Sequence, residues 1–246
     1  MRHIQIAALC LPLLVIALPA QQPQAETHAV DGGTHETITS VFIPELKNVP
    51  FSATVRTEWV KRLPDSTRIT VKNHRLVARN AEGRIFQERR YFLPDGDIKL
   101  PPLSNLQYYD PTVSTFWDCN PNHACREFAR RWPNTPGQAY DQRGSLATES
   151  LGARTIEGFD VTGTRETITF RAGVLGNDQP IRIVNEIWYS PALQMNLLTV
   201  RDDPRFGTQT FTVTDIGTDV PDPKLFTLPA DARIIKSVTE KAEPPE

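Results

Sequence analysis

Lysine, cysteine and long apolar runs are scarce in this chain, and no catalytic motif is present. Of the 27 Lys and Arg residues, seven are Lys. The formal net charge is −2, which excludes the strongly basic balance of a nucleic-acid or polyanion binder. His28, His35, His74 and His123 are scattered, and none has a motif partner. No paired carboxylates, Gly-rich phosphate loop or zinc-ligand spacing emerges. Gly144-Ser145-Leu146 lacks the Gly-x-Ser-x-Gly frame of a nucleophile elbow. No segment sustains the 3.6-residue period of a long amphipathic helix. These absences point away from an enzyme, and no cofactor or metal is implied.

Ile4 to Leu18 is the one substantial apolar run, broken only by Gln5 and Pro12. It follows the short basic start Arg2-His3 and ends at Pro19-Ala20, where the chain turns polar. This is the pattern of a cleavable signal peptide over residues 1–20, cut after Ala20. The run is too short and too early for a stable span. Cys10 follows Ala-Ala-Leu as in a lipobox, but it lies inside the apolar run, so lipidation there is rejected. The expected location is the periplasm or the exterior, with no stable membrane span after cleavage. Two cysteines then remain, Cys119 and Cys125. An even pair in an oxidising compartment reads as a structural disulfide. A metal site of Cys119, His123 and Cys125 with Asp118 is the alternative, although this spacing matches no zinc pattern.

Residues 21–50 read as a polar linker, with Ile38 to Ile43 as a first strand. Residues 51–238 read as a single β-rich domain, and residues 239–246 as a charged tail. In Ala53 to Leu63 the period is two: Val55, Thr57 and Trp59 share one face, and Arg56 and Glu58 the other. Strands follow at Arg68 to Arg79 and at Ile85 to Leu93, separated by the turns PDST and AEGR. In Arg68 to Arg79 the adjacent Leu76 and Val77 break phase, which predicts a bulge near Asn73-His74. Asn120-Pro121-Asn122-His123 is a turn between two arms that Cys119 and Cys125 would bridge. Arg131 to Ser150 reads as a surface loop or lid. Gly163 lies inside the strand Asp160 to Phe170, where a bend or a close backbone approach is expected.

The stretch from Pro180 to Leu228 carries three strands. In the first, Ile181, Ile183, Ile187 and Tyr189 point one way, and Val184 and Trp188 the other. In the second, Leu197 and Leu198 are adjacent. Ile183, Val184, Ile187, Trp188, Leu197 and Leu198 are therefore the candidate apolar concave face, with ordinary core as the bland reading of each. The third strand has Phe211 and Val213 facing in and a Thr row at 208, 210, 212 and 214 facing out. Asp222 to Phe226 reads as one helical turn, Pro191 to Gln194 as another, with a turn near Gln138 to Arg143. A last strand covers Arg233 to Val238. The fold class is mainly β: a curved antiparallel sheet or half-barrel of about ten or eleven strands with short helices.

PFSATVRTEWVKRLPDST, ARNAEGRIFQERR, YDPTVSTFWDCNPNHAC, LGARTIEGFDVTGTR, GNDQPIRIVNEIWYSPALQ, DDPRFGTQTFTVTDI and PDPKLFTLPAD carry a resemblance. They resemble an uncharacterised family of secreted bacterial envelope proteins, across most of residues 50–232. The meander, WYSPALQ and PDPKLFTLP make the architecture similar to the LolA-like half-barrel group of periplasmic lipoprotein carriers. That resemblance implies a curved sheet around an apolar hollow. The chain departs from the carriers in lacking their N-terminal amphipathic helix and in placing Arg and Glu on many strands. The expectation is a non-enzymatic exported protein that binds a lipid, an acyl chain or a lipoprotein segment in the concavity. A structural or protein-interaction module of the periplasm, whose partner is another envelope protein, is the alternative.

Overall fold

The computed structural model describes residues 41–129 and 144–236. They form one open, curved sheet of twelve strands, almost entirely antiparallel. In chain order these are β1 (Phe51–Arg62), β2 (Arg68–Arg79), β3 (Ile85–Arg90), β4 (Leu103–Asp110), β5 (Thr115–Cys119) and β6 (Ala124–Ala129). Then follow β7 (Gly144–Ile156), β8 (Phe159–Phe170), β9 (Ile181–Ser190), β10 (Met195–Asp203), β11 (Gly207–Gly217) and β12 (Arg233–Lys236). The spatial order is β12-β6-β5-β4-β3-β2-β1-β11-β10-β9-β8-β7. Two meanders thus run outward from the centre and meet where β1 pairs with β11. β12 alone is parallel to its neighbour, β6. The count of twelve is slightly above the ten or eleven strands expected.

One face of the sheet, here called inner, holds most of the core. Phe51, Ala53 and Val55 of β1, Val77 of β2, Ile85 of β3, Tyr109 of β4 and Phe211 and Val213 of β11 are buried in one cluster. The alternation expected in β11 is present, and its four threonines are half-buried on the outer face. Val41 and Ile43 lie in an irregular segment, not in a strand, and seal the same cluster. Residues 38–40 of the expected first strand, and the expected turn at 138–143, fall outside the described residues.

Leu76 and Val77 need no bulge to explain them. β2 pairs with β1 without a register shift from Arg68 to Arg79. Val77 enters the inner core, whereas Leu76 packs on the outer face against a second cluster. That cluster holds Phe86, Tyr108, Cys119 and Cys125, covered by Leu225, Phe226 and Leu228. A 3-10 turn at Pro223–Phe226, capped by Asp222 Oδ1 accepting from the Lys224 N–H, delivers the covering residues. Both faces of β2 are dry at this point, so the period-two signal is lost there. Pro191 to Gln194 forms a hydrogen-bonded turn rather than a helix. The expected loop from Arg131 to Ser150 is shorter at its C-terminal end, because Gly144 to Ser150 already belong to β7 and pair with β8. Glu149 reaches Arg165 of β8 at 2.6 Å, an ion pair that a reading of local composition misses.

Candidate functional site

The register across β2 to β6 builds the polar half of the inner face. Gln87 lies opposite Val77 and Gln107, and Gln107 lies opposite Asp118. Arg89 lies opposite Asn105, and Asp118 opposite Arg126. Toward the sheet centre, Asn73 and Phe211 flank Thr57, and Gln209 lies opposite Trp59. The inner face is therefore apolar toward the Phe51 end of β1 and rich in amides and guanidiniums farther along.

Several of these polar groups are deeply buried. Arg75 is 3% exposed and donates to Gln87 Oε1 at 3.2 Å. Burial, with the neighbouring Arg89 charge adding to it and Glu88 opposing, pushes the Arg75 guanidinium down to about 9. Burial also lowers Arg89, with Asp118 opposing. Arg89 Nε donates to Gln107 Oε1 at 2.8 Å. Asp118 accepts from Asn105 Nδ2 at 2.6 Å. Asn73 donates through Nδ2 to Arg90 O, but its Oδ1 has no partner, and neither has Gln209 Oε1. A buried acceptor left unpaired costs about 1–3 kcal/mol, and such groups call for a water or a ligand.

Arg79 differs from these and is structural. It is fully buried and donates to the carbonyls of Val49, Pro44 and Leu193 at 2.8, 2.9 and 3.1 Å. Its guanidinium also lies 5.0 Å from the Phe51 ring centroid. It ties the entering segment to the β9–β10 turn. No motif in the sequence marks Arg75, Arg79 or Arg89. The available signal was phase, since Asn73, Arg75, Val77 and Arg79 alternate on one face with the apolar residues of β1.

The six candidate apolar residues do not form one wall. Ile183 joins a small separate cluster with Ile168 and Phe170. Trp188 and Leu197 belong to the main core, and Leu198 packs against it. Gly163 lies directly across from Trp188, and Arg154 stacks on the Trp188 ring at 3.7 Å. Val184 is half-buried in an outer-face pocket of about 340 Å³ beside Arg165 and Glu186. Ile187 is half-buried and lies opposite Thr199. The period-two geometry separates Ile183 and Ile187 from Val184 and Trp188, so a run that is apolar on both sides is shared between two surfaces.

Cys119 and Cys125 are directly opposed in the β5–β6 hairpin, with Sγ atoms bonded at 2.06 Å. His123 Nδ1 lies 2.6 Å from Asp231 Oδ1 and thereby joins the hairpin to the C-terminal segment. Among the described residues, no cluster of His, Cys, Asp and Glu is arranged to hold a metal ion. Among them, too, no helix is long and apolar enough to cross a membrane.

Fold and site define a single-sheet β protein with a partly polar inner face. No family description and no curated protein matches this chain. Similar solved structures include the MucA/MucB complex of Pseudomonas aeruginosa, at 12% identity and a TM-score of 0.44, covering 77% of this chain and 59% of that one. A second MucB structure has 10% identity and a TM-score of 0.42, covering 77% and 60%. A LolA superfamily protein from Nitrosomonas europaea has 10% identity and a TM-score of 0.31, covering 74% and 92%. The chain spans about three-fifths of the length of the MucB structures it matches. All three scores lie below 0.5, and the fold description rests on the strand pairing itself.

Proposed function

We propose that this is a non-enzymatic, exported protein of the cell envelope that binds a polypeptide segment of another envelope protein on the inner face of its sheet. The observation that carries this reading is the pair of buried, unpartnered acceptors, Asn73 Oδ1 and Gln209 Oε1, on a face that also carries Arg75 and Arg89. A polypeptide presents both donors and acceptors, and it matches such a surface better than an acyl chain, whose burial beside unpaired polar groups is unfavourable. The apolar half of the same face is filled by the protein's own Phe51, Val55, Val77 and Val213. Export is supported by the signal-like first twenty residues and by the Cys119–Cys125 bond. One neighbouring protein, MucB, has been solved in complex with MucA.

The test is to crosslink the protein in intact cells, purify it from its own envelope, and examine both the crosslinked peptides and the extractable lipid by mass spectrometry. The expected result is a protein partner whose crosslinks map beside Asn73, Arg89 and Gln209. A stoichiometric lipid with no crosslinked protein would replace this reading with lipid carriage. Crosslinks confined to the outer face would also overturn it.

A further inference from the structure

The inner face ends at β12 in a feature that the general binding reading does not use. A pocket of about 330 Å³ lies across β4, β5, β6 and β12. Asn105, Asp118, Arg126, Phe128 and Ile235 line it. At about 30 Å³ per water, it has room for one amino-acid side chain and some solvent.

Arg126 is the unusual member. It forms no hydrogen bond or ion pair with any described residue. Asp118 lies directly across from it in the β5–β6 ladder, yet Asp118 is turned toward Asn105 and Gln107. The guanidinium therefore lines the pocket with no carboxylate bonded to it, and the one carboxylate beside it, Asp118, is already held by Asn105 and Gln107. Phe128 (39% exposed) and Ile235 (50% exposed) form an apolar wall around it. Among the described residues nothing covers that wall.

The edge beside the pocket is also open. β12 pairs with β6 on one side and with no described strand on the other. The Arg233 N–H donates to His123 O at 2.9 Å, toward β6. Alternation then directs the backbone N–H and C=O of Ile234 and Lys236 outward. Arg233 and Lys236 bracket this short edge, and all four residues of β12 are exposed. Positive ends of this kind oppose pairing with a like strand and favour an acidic one.

We infer that the free edge of β12 accepts an extended acidic peptide segment, whose carboxylate side chain enters the pocket beside Phe128 and Ile235 and pairs with Arg126. The added strand would bond through its backbone to Ile234 and Lys236, and alternate side chains would fall over the inner face. A planar guanidinium discriminates a carboxylate by a forked pair of bonds. This inference deepens the binding reading above by naming the subsite and the chemistry of the segment.

The probe is a fluorescein-labelled peptide amide, Thr-Val-Thr-Glu-Val-Thr-Val, compared with its Gln counterpart by fluorescence anisotropy on the full mature protein. The Glu peptide is expected to bind about tenfold more tightly than the Gln peptide. Arg126→Ala should abolish that difference with an unchanged thermal unfolding curve, since Arg126 is exposed. Arg126→Glu should reverse it in favour of a Lys peptide. Ile234→Pro should weaken all three peptides alike. Equal binding of Glu and Gln peptides to the native protein overturns the subsite, while the crosslinking result still decides the wider reading. Binding that appears only after residues 237–246 are deleted assigns the edge to the chain's own tail and overturns the partner. A dimer lost in Ile234→Pro assigns it to a second copy, with the same consequence.

Discussion

Arg79 shows how a single charged side chain can act as core. Its three bonds go to backbone carbonyls rather than to a carboxylate. Burial lowers it to about 10, so it stays charged at neutral pH. Arg79→Met should destabilise the protein by about 3–5 kcal/mol, because three buried acceptors lose their donor. Arg79→Lys should recover little of that, since an ammonium cannot fork to three sites. Urea unfolding measures both. Asp203 gives a pH-dependent counterpart. It is 1% exposed, and Arg201 and Arg205 hold it at 3.1 and 2.7 Å. Burial alone would raise its carboxyl, but the bonds from Arg205 and the two charges outweigh burial and hold it below the ordinary value. Its stabilisation is therefore complete above the unfolded value of about 3.9 and is lost as pH falls through the lower folded value. Asp203→Asn should cost about 3 kcal/mol at pH 7. The gap from the native protein should narrow below about pH 4, as read by stability curves at several pH values. Neither residue was legible in the sequence. Arg79 precedes a turn and Asp203 lies in an Asp-Asp-Pro run, and both look like surface until the chain's distant parts are brought together.

At the scale of elements, much was legible where one face is wet. β1 and β11 carry a clean alternation, and their burial follows it. Legibility failed where both faces are covered. In β2 the outer face is capped near Leu76 by the 3-10 turn, more than a hundred residues away in sequence, and phase alone mimics a bulge. The six candidate apolar residues are divided among clusters for the same reason: β9 contributes to two surfaces, and no local pattern says which is a hollow and which is core. Gly163 was legible as a close approach, and its partner came only from the structure. A Cβ at Gly163 would lie 2.7 Å from the Trp188 ring and 2.9 Å from Leu151 Cβ. Gly163→Ala should displace the indole from its place under Arg154 and destabilise by about 1–3 kcal/mol. A changed near-UV circular dichroism signal together with a lower unfolding midpoint is the expected result.

For the whole molecule, the decisive pairing is β1 with β11, which joins strands about 150 residues apart and holds the two meanders together. Protection from hydrogen exchange should therefore be highest in β1, β2 and β11. It should fall toward β7 and β12, which among the described residues pair on one side only. Hydrogen-exchange mass spectrometry ranks the strands directly. Equal protection in β7 and β1 would contradict this ordering.

The covalent path between β6 and β7 limits how far the sheet can unroll. In the strand order, β6 and β7 are ten steps apart, or about 48 Å if the sheet were flat. By register, Ala129 leaves near the Phe51 end of β1 and Gly144 enters near its Arg62 end. That adds a displacement of about 40 Å along the strands. A flat sheet would thus demand a span of about 60 Å, whereas the connection over residues 130–143 reaches about 50 Å when fully stretched. The sheet therefore cannot lie flat while that connection is intact, and a protease cut between Ala129 and Gly144 would release the limit without breaking a single rung of the ladder.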